Sequence, residues 1–356
     1  MFNELEIFKG LTDERLNEIL SNIKNVRIGF IGDLCVDIYW VADMCRSELS
    51  RETPHFPLPV VEERFQLGAG GNMIANLAAL KPKMIYATGI IGDDWRGDLV
   101  RKCLEWIDIS MDNIVVAEGN TTNAYCKPFR KGVSGIAYED PRIDFTGGPV
   151  SDADQILLTE KLIKMAAEVD IICVSDQFIN GCITARIREV LLKLASEGAV
   201  IVVDSRDHIT GYRNVILKPN EIESVKAAAE LSGNSENYFI EQGFDGYIEA
   251  ADILNRKLDC DISMTLGDKG NIQFYDDKAV HIPSNEIKCV LDICGAGDTF
   301  LSAFSCAIAA GAKRDEAGQI ASLASEVTIR KIGQTGTATI DEIIFNATQS
   351  GDAECP

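Results

Sequence analysis

Asp292-Ile293-Cys294-Gly295-Ala296-Gly297-Asp298 leads directly into an apolar run, Thr299 to Ala310, of helical character. Gly295, Ala296 and Gly297 carry almost no side chain. Their backbone N–H groups can therefore close on an anion, and the start of the following helix adds the positive end of its dipole. Asp298 stands where a hydroxyl would meet a phosphate held in that turn. An Asp ahead of an apolar helix is also an ordinary N-terminal cap, and the turn alone leaves both readings open.

Outward from this turn, short Val/Ile-rich runs alternate with helical ones. Val26 to Ile31, Met84 to Ile90, Asp170 to Ser175, Ala199 to Asp204, Asn214 to Leu217 and Asp261 to Leu266 read as strands. Helices are expected at Thr12 to Asn25, Asn72 to Leu80, Gly97 to Trp106, Ala153 to Ala167, Ile183 to Glu197, Glu221 to Leu231, Tyr247 to Leu258 and Thr299 to Ala310. Strands that are apolar throughout, rather than alternating, are covered on both faces. The expectation is a doubly wound αβα sandwich on a mainly parallel sheet, with ligands beyond the carboxyl ends of the strands. Val36 to Gln66 and Thr121 to Gly148, broken by Pro and Gly, fit that alternation poorly and read as a small β lid. The expected organisation is thus a helical extension over 1–25, a body over 26–345 carrying lid segments near 36–66 and 121–148, and a loose tail over 346–356.

The 356 residues are 46% hydrophobic, enough for a large core. Fifty-five acidic residues against 34 basic ones give a net charge of −21, which argues against nucleic acid or an anionic membrane as a partner. Eleven cysteines form no C-x2-C pair, and Cys173 and Cys306 lie in apolar runs, so reduced thiols in a cytoplasmic protein are expected. Met1 to Lys24 is charged throughout and lacks the apolar centre of a secretory signal. With His55, His208 and His281 scattered, no transition-metal site is expected.

Four further turns offer chemistry. Gly32-Asp33-Leu34-Cys35-Val36-Asp37 sets carboxylates at the end of the first strand, where a polyol would donate hydrogen bonds; solvated acids in a turn would look the same. Gly68-Ala69-Gly70-Gly71-Asn72 opens a helix, and Met73 where a dinucleotide fingerprint needs a small residue turns the reading toward a sugar, with Asn72 and Asn76 as amides. Lys218-Pro219-Asn220-Glu221-Ile222-Glu223 is spaced as a capping box, and Asn220 and Glu223 also suit hydrated Mg²⁺, which needs few protein ligands. Thr265-Leu266-Gly267-Asp268-Lys269-Gly270 is a glycine-bracketed turn for a nucleotide phosphate or a plain hairpin. No P-loop is present.

Taken in order, these five motifs resemble the ribokinase-like (PfkB) carbohydrate kinases, over residues 26 to about 345. Ser50-Arg51 with Pro57-Leu58-Pro59-Val60-Val61, Arg142-Ile143-Asp144-Phe145, Ser175-Asp176 and Lys331-Ile332-Gly333 are most similar to the kinase part of the bifunctional enzymes that phosphorylate D-glycero-D-manno-heptose 7-phosphate at the anomeric hydroxyl. The resemblance implies ATP-dependent phosphorylation of a sugar or sugar phosphate, with Asp298 as base and Gly295, Ala296 and Gly297 as anion hole. It implies a sugar site of Asp37, Gly70, Gly71 and Asn72, beside which Asn76 and Asp176 are further candidate ligands. If the substrate already carries a phosphate, Arg51, Lys127, Arg130, Arg142 and Arg206, in or near the lid and strand ends, are the cations to receive it; each singly also reads as a solvated surface charge. On the ATP side it implies Lys218, Asn220, Glu223, Thr265, Gly267, Gly270 and Ser322, with Mg²⁺ held through water by Asn220 and Glu223. It also implies a K⁺ site near Asp292, Lys331 and Gly333, and a homodimer through the lid. Ile293, Ala69, His55 and Phe56 depart from the family pattern, which bears on the choice of sugar. Tyr39, Trp40 and Phe178 keep a nucleoside kinase of the same fold in view; a silent sugar sensor would have no use for Asp298.

Overall fold

The computed structural model describes residues 5–287, 289–333 and 335–348. Among the described residues fifteen strands run in chain order as β1 (Leu5–Ile7), β2 (Arg27–Gly32), β3 (Leu34–Asp43), β4 (Val60–Ala69), β5 (Met84–Gly92), β6 (Ile114–Ala117), β7 (Asn123–Lys131), β8 (Ala137–Glu139), β9 (Ile143–Phe145), β10 (Ile171–Asp176), β11 (Ile201–Ser205), β12 (Ile216–Leu217), β13 (Asp261–Thr265), β14 (Asn271–Tyr275) and β15 (Lys278–Ile282). The helices are α1 (Asp13–Asn22), α2 (Gly70–Ala79), α3 (Trp95–Trp106), α4 (Asp152–Ala166), α5 (Ala185–Ser196), α6 (Glu221–Ser232), α7 (Glu236–Ile240), α8 (Phe244–Leu258), α9 (Ala296–Ala309), α10 (Arg314–Thr328) and α11 (Ile340–Thr348).

Ten strands form the main sheet in the order β1-β15-β14-β13-β12-β11-β10-β2-β5-β6. Only β14 runs against its neighbours. In β10 and β11 every residue is buried, as strands covered on both faces must be. One apolar core packs α1, α2, α3, α9, α10 and α11 against one face, through Leu20, Leu77, Leu104, Phe304, Ile320 and Ile343. The other packs α4, α5, α6, α7 and α8 against the opposite face, through Leu162, Leu191, Val225, Phe239 and Leu254. This is the expected αβα sandwich. Cys173 and Cys306 are buried in it as small hydrophobes. Among the described residues no helix is long and apolar enough to cross a membrane.

The second sheet has β3 at its centre, antiparallel to β4 and parallel to β7, with β8 and β9 both pairing β7. It springs from the main sheet where β2 passes into β3 at Asp33. The buried Asp33 carboxylate accepts the N–H groups of Gln177 (2.8 Å), Phe178 (2.8 Å) and Cys182 (2.7 Å), so this acid fastens the loop after β10 and is no sugar ligand. Burial pushes it up to about 6 despite those donors.

Several elements differ from expectation. The 214–217 strand shrinks to two residues, and α7, α10, α11, β1, β6 and β15 were not anticipated. Helix α10 escapes notice because Gly318 interrupts its pattern; the glycine is required, since a Cβ there would stand 2.7 Å from Asn271 Oδ1. Strand β1 lies inside the expected helical extension and adds to the sheet edge, and α1 is built into the core. Helix α11 runs past the boundary expected at 345 because Asn346 is buried and bonded to Leu323 O (3.1 Å) and Glu326 (2.9 Å). The rest of the expected tail, 349–356, lies outside the described residues.

Leu77 is fully buried at the contact of α2 with α9, whereas Ile222 is 72% exposed at the start of α6. Leu77→Ala is expected to destabilise the fold by about 2–5 kcal/mol through lost burial and the cavity left behind. Ile222→Ala should stay within about 0.5 kcal/mol. Urea unfolding of the two variants checks this; equal effects would show that α2 does not anchor this core.

Candidate active site

Helix α9 starts on Gly295, whose φ of 79° is left-handed. A Cβ on Gly295 would fall 2.4 Å from Thr335 Cγ2, so only glycine fits. Ser325 Oγ of α10 donates to Ala296 O (3.1 Å) and steadies the turn. Asp298 follows in the first helical turn, where its charge meets the positive dipole end. Asn72 Nδ2, from the first turn of α2, donates to Asp298 Oδ2 at 3.4 Å.

A second charged element comes from the ends of two neighbouring strands. Lys218 directly follows β12, and its ammonium lies 3.2 Å from Asp204 at the end of β11, with both side chains buried. A Cβ on Gly297 would stand 3.4 Å from Lys218 Nζ, so the ammonium lies against the glycine turn. Burial works against the Lys218 charge, but Asp204 and then Glu223 overcome it and hold its pKa above the ordinary value. Burial, and next the Asp204 charge, push Asp298 up to about 7, with Lys218 and the Asn72 amide opposing. Asp204 was not singled out from the sequence. It reads there as the last residue of an apolar strand, and only the adjacency of β11 and β12 reveals its partner.

Asn220 and Glu223 form the capping box of α6: Glu223 N donates to Asn220 Oδ1 (2.8 Å) and Asn220 N to Glu223 Oε2 (2.9 Å). Burial raises the Glu223 pKa, and Asp204 adds to it. Thr265 N donates to Pro219 O (3.0 Å), which brings the third and fourth motifs together. Gly267 and Gly270 both have left-handed φ, and a Cβ on Gly270 would meet Ile282 O at 2.1 Å. Ser322 lies on α10 and accepts from Asn271 Nδ2 (2.9 Å). Asp292 accepts Cys294 N (3.1 Å) and Gly333 N (2.9 Å), and so ties the turn to the 331–333 loop. The Lys331 ammonium is turned to Thr337 O (2.7 Å) and Glu342 (2.6 Å).

On the lid side, Asp37 Oδ2 pairs with Lys127 Nζ (2.9 Å), while the buried Oδ1 has no hydrogen-bond partner. Burial raises the Asp37 pKa against the pull of Lys127. Gly68 lies beneath this carboxylate, since a Cβ there would be 2.6 Å from Oδ1. Gly70 and Gly71 pack with equally little room, against Asp33 O and Leu67. Ala69, between Gly68 and Gly70, takes φ 45° and ψ −130°, a strained conformation for a residue with a Cβ.

Some expected ligands are otherwise occupied. Asn76 is buried, donating to Asn72 O (2.9 Å) and accepting from Thr299 Oγ1 (2.9 Å), so it joins α2 to α9. Asp176 Oδ2 accepts from Ser205 Oγ (2.9 Å) and Tyr212 Oη (2.9 Å) beside Arg188 (3.4 Å), on the side of α5. Arg142 is held two-pronged by Asp144 (2.6 and 2.7 Å), and Arg130 pairs with Asp140 (2.6 Å). Arg51 and Arg206 are exposed and form no ion pair among the described residues. The Tyr39 ring carries the Arg64 guanidinium (4.2 Å), Trp40 donates to Glu63 (2.6 Å) and Phe178 meets Tyr125 edge-on, so these aromatics do not form an open base pocket.

No group of three metal-ligating side chains is present among the described residues. Asp204, Glu223 and Asp298 nonetheless confront one buried ammonium, an excess of negative charge that suits a cation carried largely by its own phosphates and waters.

A model of the family described as pfkB family carbohydrate kinase matches residues 61–340. The chain is 28% identical over 327 residues to the bifunctional protein HldE of Sulfurimonas denitrificans, covering 89% of this chain and 63% of that protein. It is 30% identical over 342 residues to the bifunctional protein HldE of Hyphomonas neptunium, covering 92% and 65%. The chain thus spans less than two thirds of the length of these relatives. Among solved structures, a ribokinase from Thermotoga maritima matches with a TM-score of 0.67 at 20% identity, over 91% of this chain and 100% of the other. Phosphofructokinase-2 from Escherichia coli, in complex with substrates and products, matches with 0.69 at 16%, over 92% and 100%. At these identities the likeness is one of fold.

Asp298 has a folded pKa near 7 against an ordinary 3.8. The folded chain therefore holds a proton that the unfolded chain releases, and the stability this contributes is lost as pH rises from about 4 through 7. Asp298→Asn should raise Tm by roughly 3 °C or more at pH 8, and the gain should shrink steadily to almost nothing at pH 4. Thermal unfolding across that range checks it; a gain independent of pH would remove the charge as its cause.

Proposed function

Because this chain belongs to the pfkB family of carbohydrate kinases, which are phosphotransferases with an alcohol group as acceptor, we propose that it transfers the γ-phosphoryl group of ATP to a hydroxyl of a sugar or sugar phosphate in the cleft between α9 and the lid. The observation that carries this reading is the convergence of Asp298, the Gly295 to Gly297 turn and the buried Lys218 ammonium at one helix start. Asp298 accepts the proton of the attacking hydroxyl, and a pKa near 7 makes it both ionised and basic at neutral pH. The Gly295 and Gly297 amides and Lys218 receive the charge of the transferring phosphoryl group, and the Ala296 amide joins them on leaving Ile293 O (3.2 Å).

Asp37, with one oxygen already on Lys127 and the other unpartnered, takes a sugar hydroxyl as donor; Asn72 and Gly71 complete that end of the cleft, and Gly70, its amide given to Asp33 O (2.9 Å), lets the sugar approach closely. Thr265, Gly267, Gly270 and Ser322 border the nucleotide. Asn220 and Glu223, with the charge excess around Asp204, hold Mg²⁺ through water. Mg²⁺ neutralises phosphate charge when bound. K⁺ is proposed at carbonyls by Asp292 and the Lys331 to Gly333 loop. The acceptor proposed first is heptose 7-phosphate, on the resemblance of the lid motifs and the likeness to the HldE proteins. Its phosphate would be received by Arg51, Arg206 or an Arg142 released from Asp144. A homodimer through the lid would cover exposed Phe56, Leu58, Val60, Val61 and Tyr138.

Coupled ADP release with heptose 7-phosphate, fructose 6-phosphate, ribose and adenosine tests the reading, and turnover of adenosine alone would replace it with nucleoside phosphorylation. With the productive acceptor, Asp298→Asn should lower kcat by about 10² to 10⁴, and wild-type kcat/KM should fall roughly tenfold per pH unit below about pH 7. Intact turnover in the variant would exclude Asp298 as base.

Arg51→Glu, Arg142→Glu and Arg206→Glu sort the phosphate receivers. The responsible arginine should raise KM for a phosphorylated sugar by tenfold or more, about 1.4 kcal/mol, with little change for a neutral one. Equal changes for both acceptors would show that none of the three reads the phosphate.

A further inference from the structure

A continuous chain of polar contacts crosses from the sugar end of the cleft to its phosphate end. Lys127 Nζ, 2.9 Å from Asp37 Oδ2, also donates to Tyr39 Oη at 3.2 Å. Gln66 Nε2 donates one hydrogen to the same hydroxyl (3.2 Å) and the other to Thr335 Oγ1 (2.8 Å). The Thr335 methyl group in turn fills the space beside Gly295, where a Cβ would be only 2.4 Å away. A second tie runs alongside: Arg64, stacked 4.2 Å over the Tyr39 ring, donates to Gly333 O at 3.0 Å, and Gly333 N donates to Asp292 of the turn.

Strands β3, β4 and β7 of the lid supply the first four members, and the loop before α11 supplies the fifth. Among the described residues, Asp37 Oδ1 is the atom of this chain of contacts that is buried without a partner, which costs energy until a donor arrives. We propose that Tyr39, Gln66 and Thr335 are positioning residues that couple occupancy of Asp37 by a sugar hydroxyl to the set of the Gly295 to Gly297 amides. This rests on the kinase reading above. A hydroxyl bound at Asp37 redistributes the Lys127 contact between Asp37 and Tyr39. Linked hydrogen bonds reinforce one another in a poorly hydrated setting, so the change reaches Gln66 and Thr335. The Thr335 methyl occupies the side-chain position of Gly295, and a shift of the lid is passed to the turn at that point. Coupling of this kind is reciprocal: the sugar tightens nucleotide binding by the factor by which nucleotide tightens sugar.

The experiment measures the dissociation constant of the Mg²⁺ complex of a non-hydrolysable ATP analogue by calorimetry, with and without whichever of heptose 7-phosphate, fructose 6-phosphate or ribose is turned over. Tyr39→Phe removes the hydroxyl and keeps the ring; Thr335→Val removes the acceptor and keeps the methyl beside Gly295. Wild type is expected to bind the analogue about fivefold or more tightly with sugar present, within the usual span of coupling. In both variants that ratio should fall below about twofold, while affinity for analogue alone and sugar alone stays within about threefold, which a mere loss of packing would not produce. An unchanged ratio in both variants, or a wild-type ratio of one, overturns the coupling and leaves the kinase reading standing. Failure of all three sugars to release ADP from ATP removes the kinase reading itself, and the coupling falls with it.

Discussion

Everything at the cleft turns on one lysine buried against a glycine. Lys218 has almost no contact with solvent, so its ammonium must be compensated within the protein, and Asp204 does this at 3.2 Å. The pairing is available because β11 and β12 are parallel neighbours whose carboxyl ends deliver consecutive charges to one place. The start of α9 then lies over the ammonium, with the Gly297 position 3.4 Å from Lys218 Nζ as measured to a Cβ placed there. The compensation is incomplete by design of the site: Asp204, Asp298 and Glu223 share one ammonium, and Asp298 pays for it with a pKa near 7.

The lid is joined to this arrangement rather than appended to it. Asp33 clamps the loop after β10 at the point where β2 turns into β3, which fixes the base of the lid. Further out, Phe65 stacks on Trp106 of α3 with ring centres 5.2 Å apart, and Arg64 and Gln66 reach the 333–335 loop. The strain at Ala69 lies between these anchorages, where β4 passes into α2, and such strain persists only where the surroundings over-determine the backbone.

Much of this was legible in the residues. Unbroken Val/Ile runs announce buried parallel strands, and Asn220 with Glu223 three residues on announces a helix start. Gly295, Gly270 and Gly68 read as turn residues in the sequence, but that each is barred from bearing a Cβ, by Thr335, Ile282 O and Asp37 within 3 Å, appears only in the fold. What escaped notice has a common cause. Asp204 looks like the end of a strand, Asn76 like an amide on a substrate helix and Asp176 like a ligand beside Ser175. Each is decided by which way a side chain points once neighbouring elements are packed: Asp204 toward Lys218, Asn76 toward Thr299, Asp176 toward Tyr212. Periodicity carries no information about such partners, because they are far apart in the chain.

The sequence by itself determined the fold class and the order of the motifs, because these follow from local spacing: apolar period, turn residues and small residues at helix starts; the family came from the likeness of those motifs to known proteins. Only the tertiary structure decided which charges meet. A buried ammonium takes its partner from whatever strand lies beside it, a carboxylate's pKa depends on the groups folded around it, and the path from Asp37 through Tyr39 and Gln66 to Thr335 exists only when three lid strands and a distant loop come together. Electrostatic and hydrogen-bonding energies depend on distances in space, and those are set by packing rather than by position along the chain.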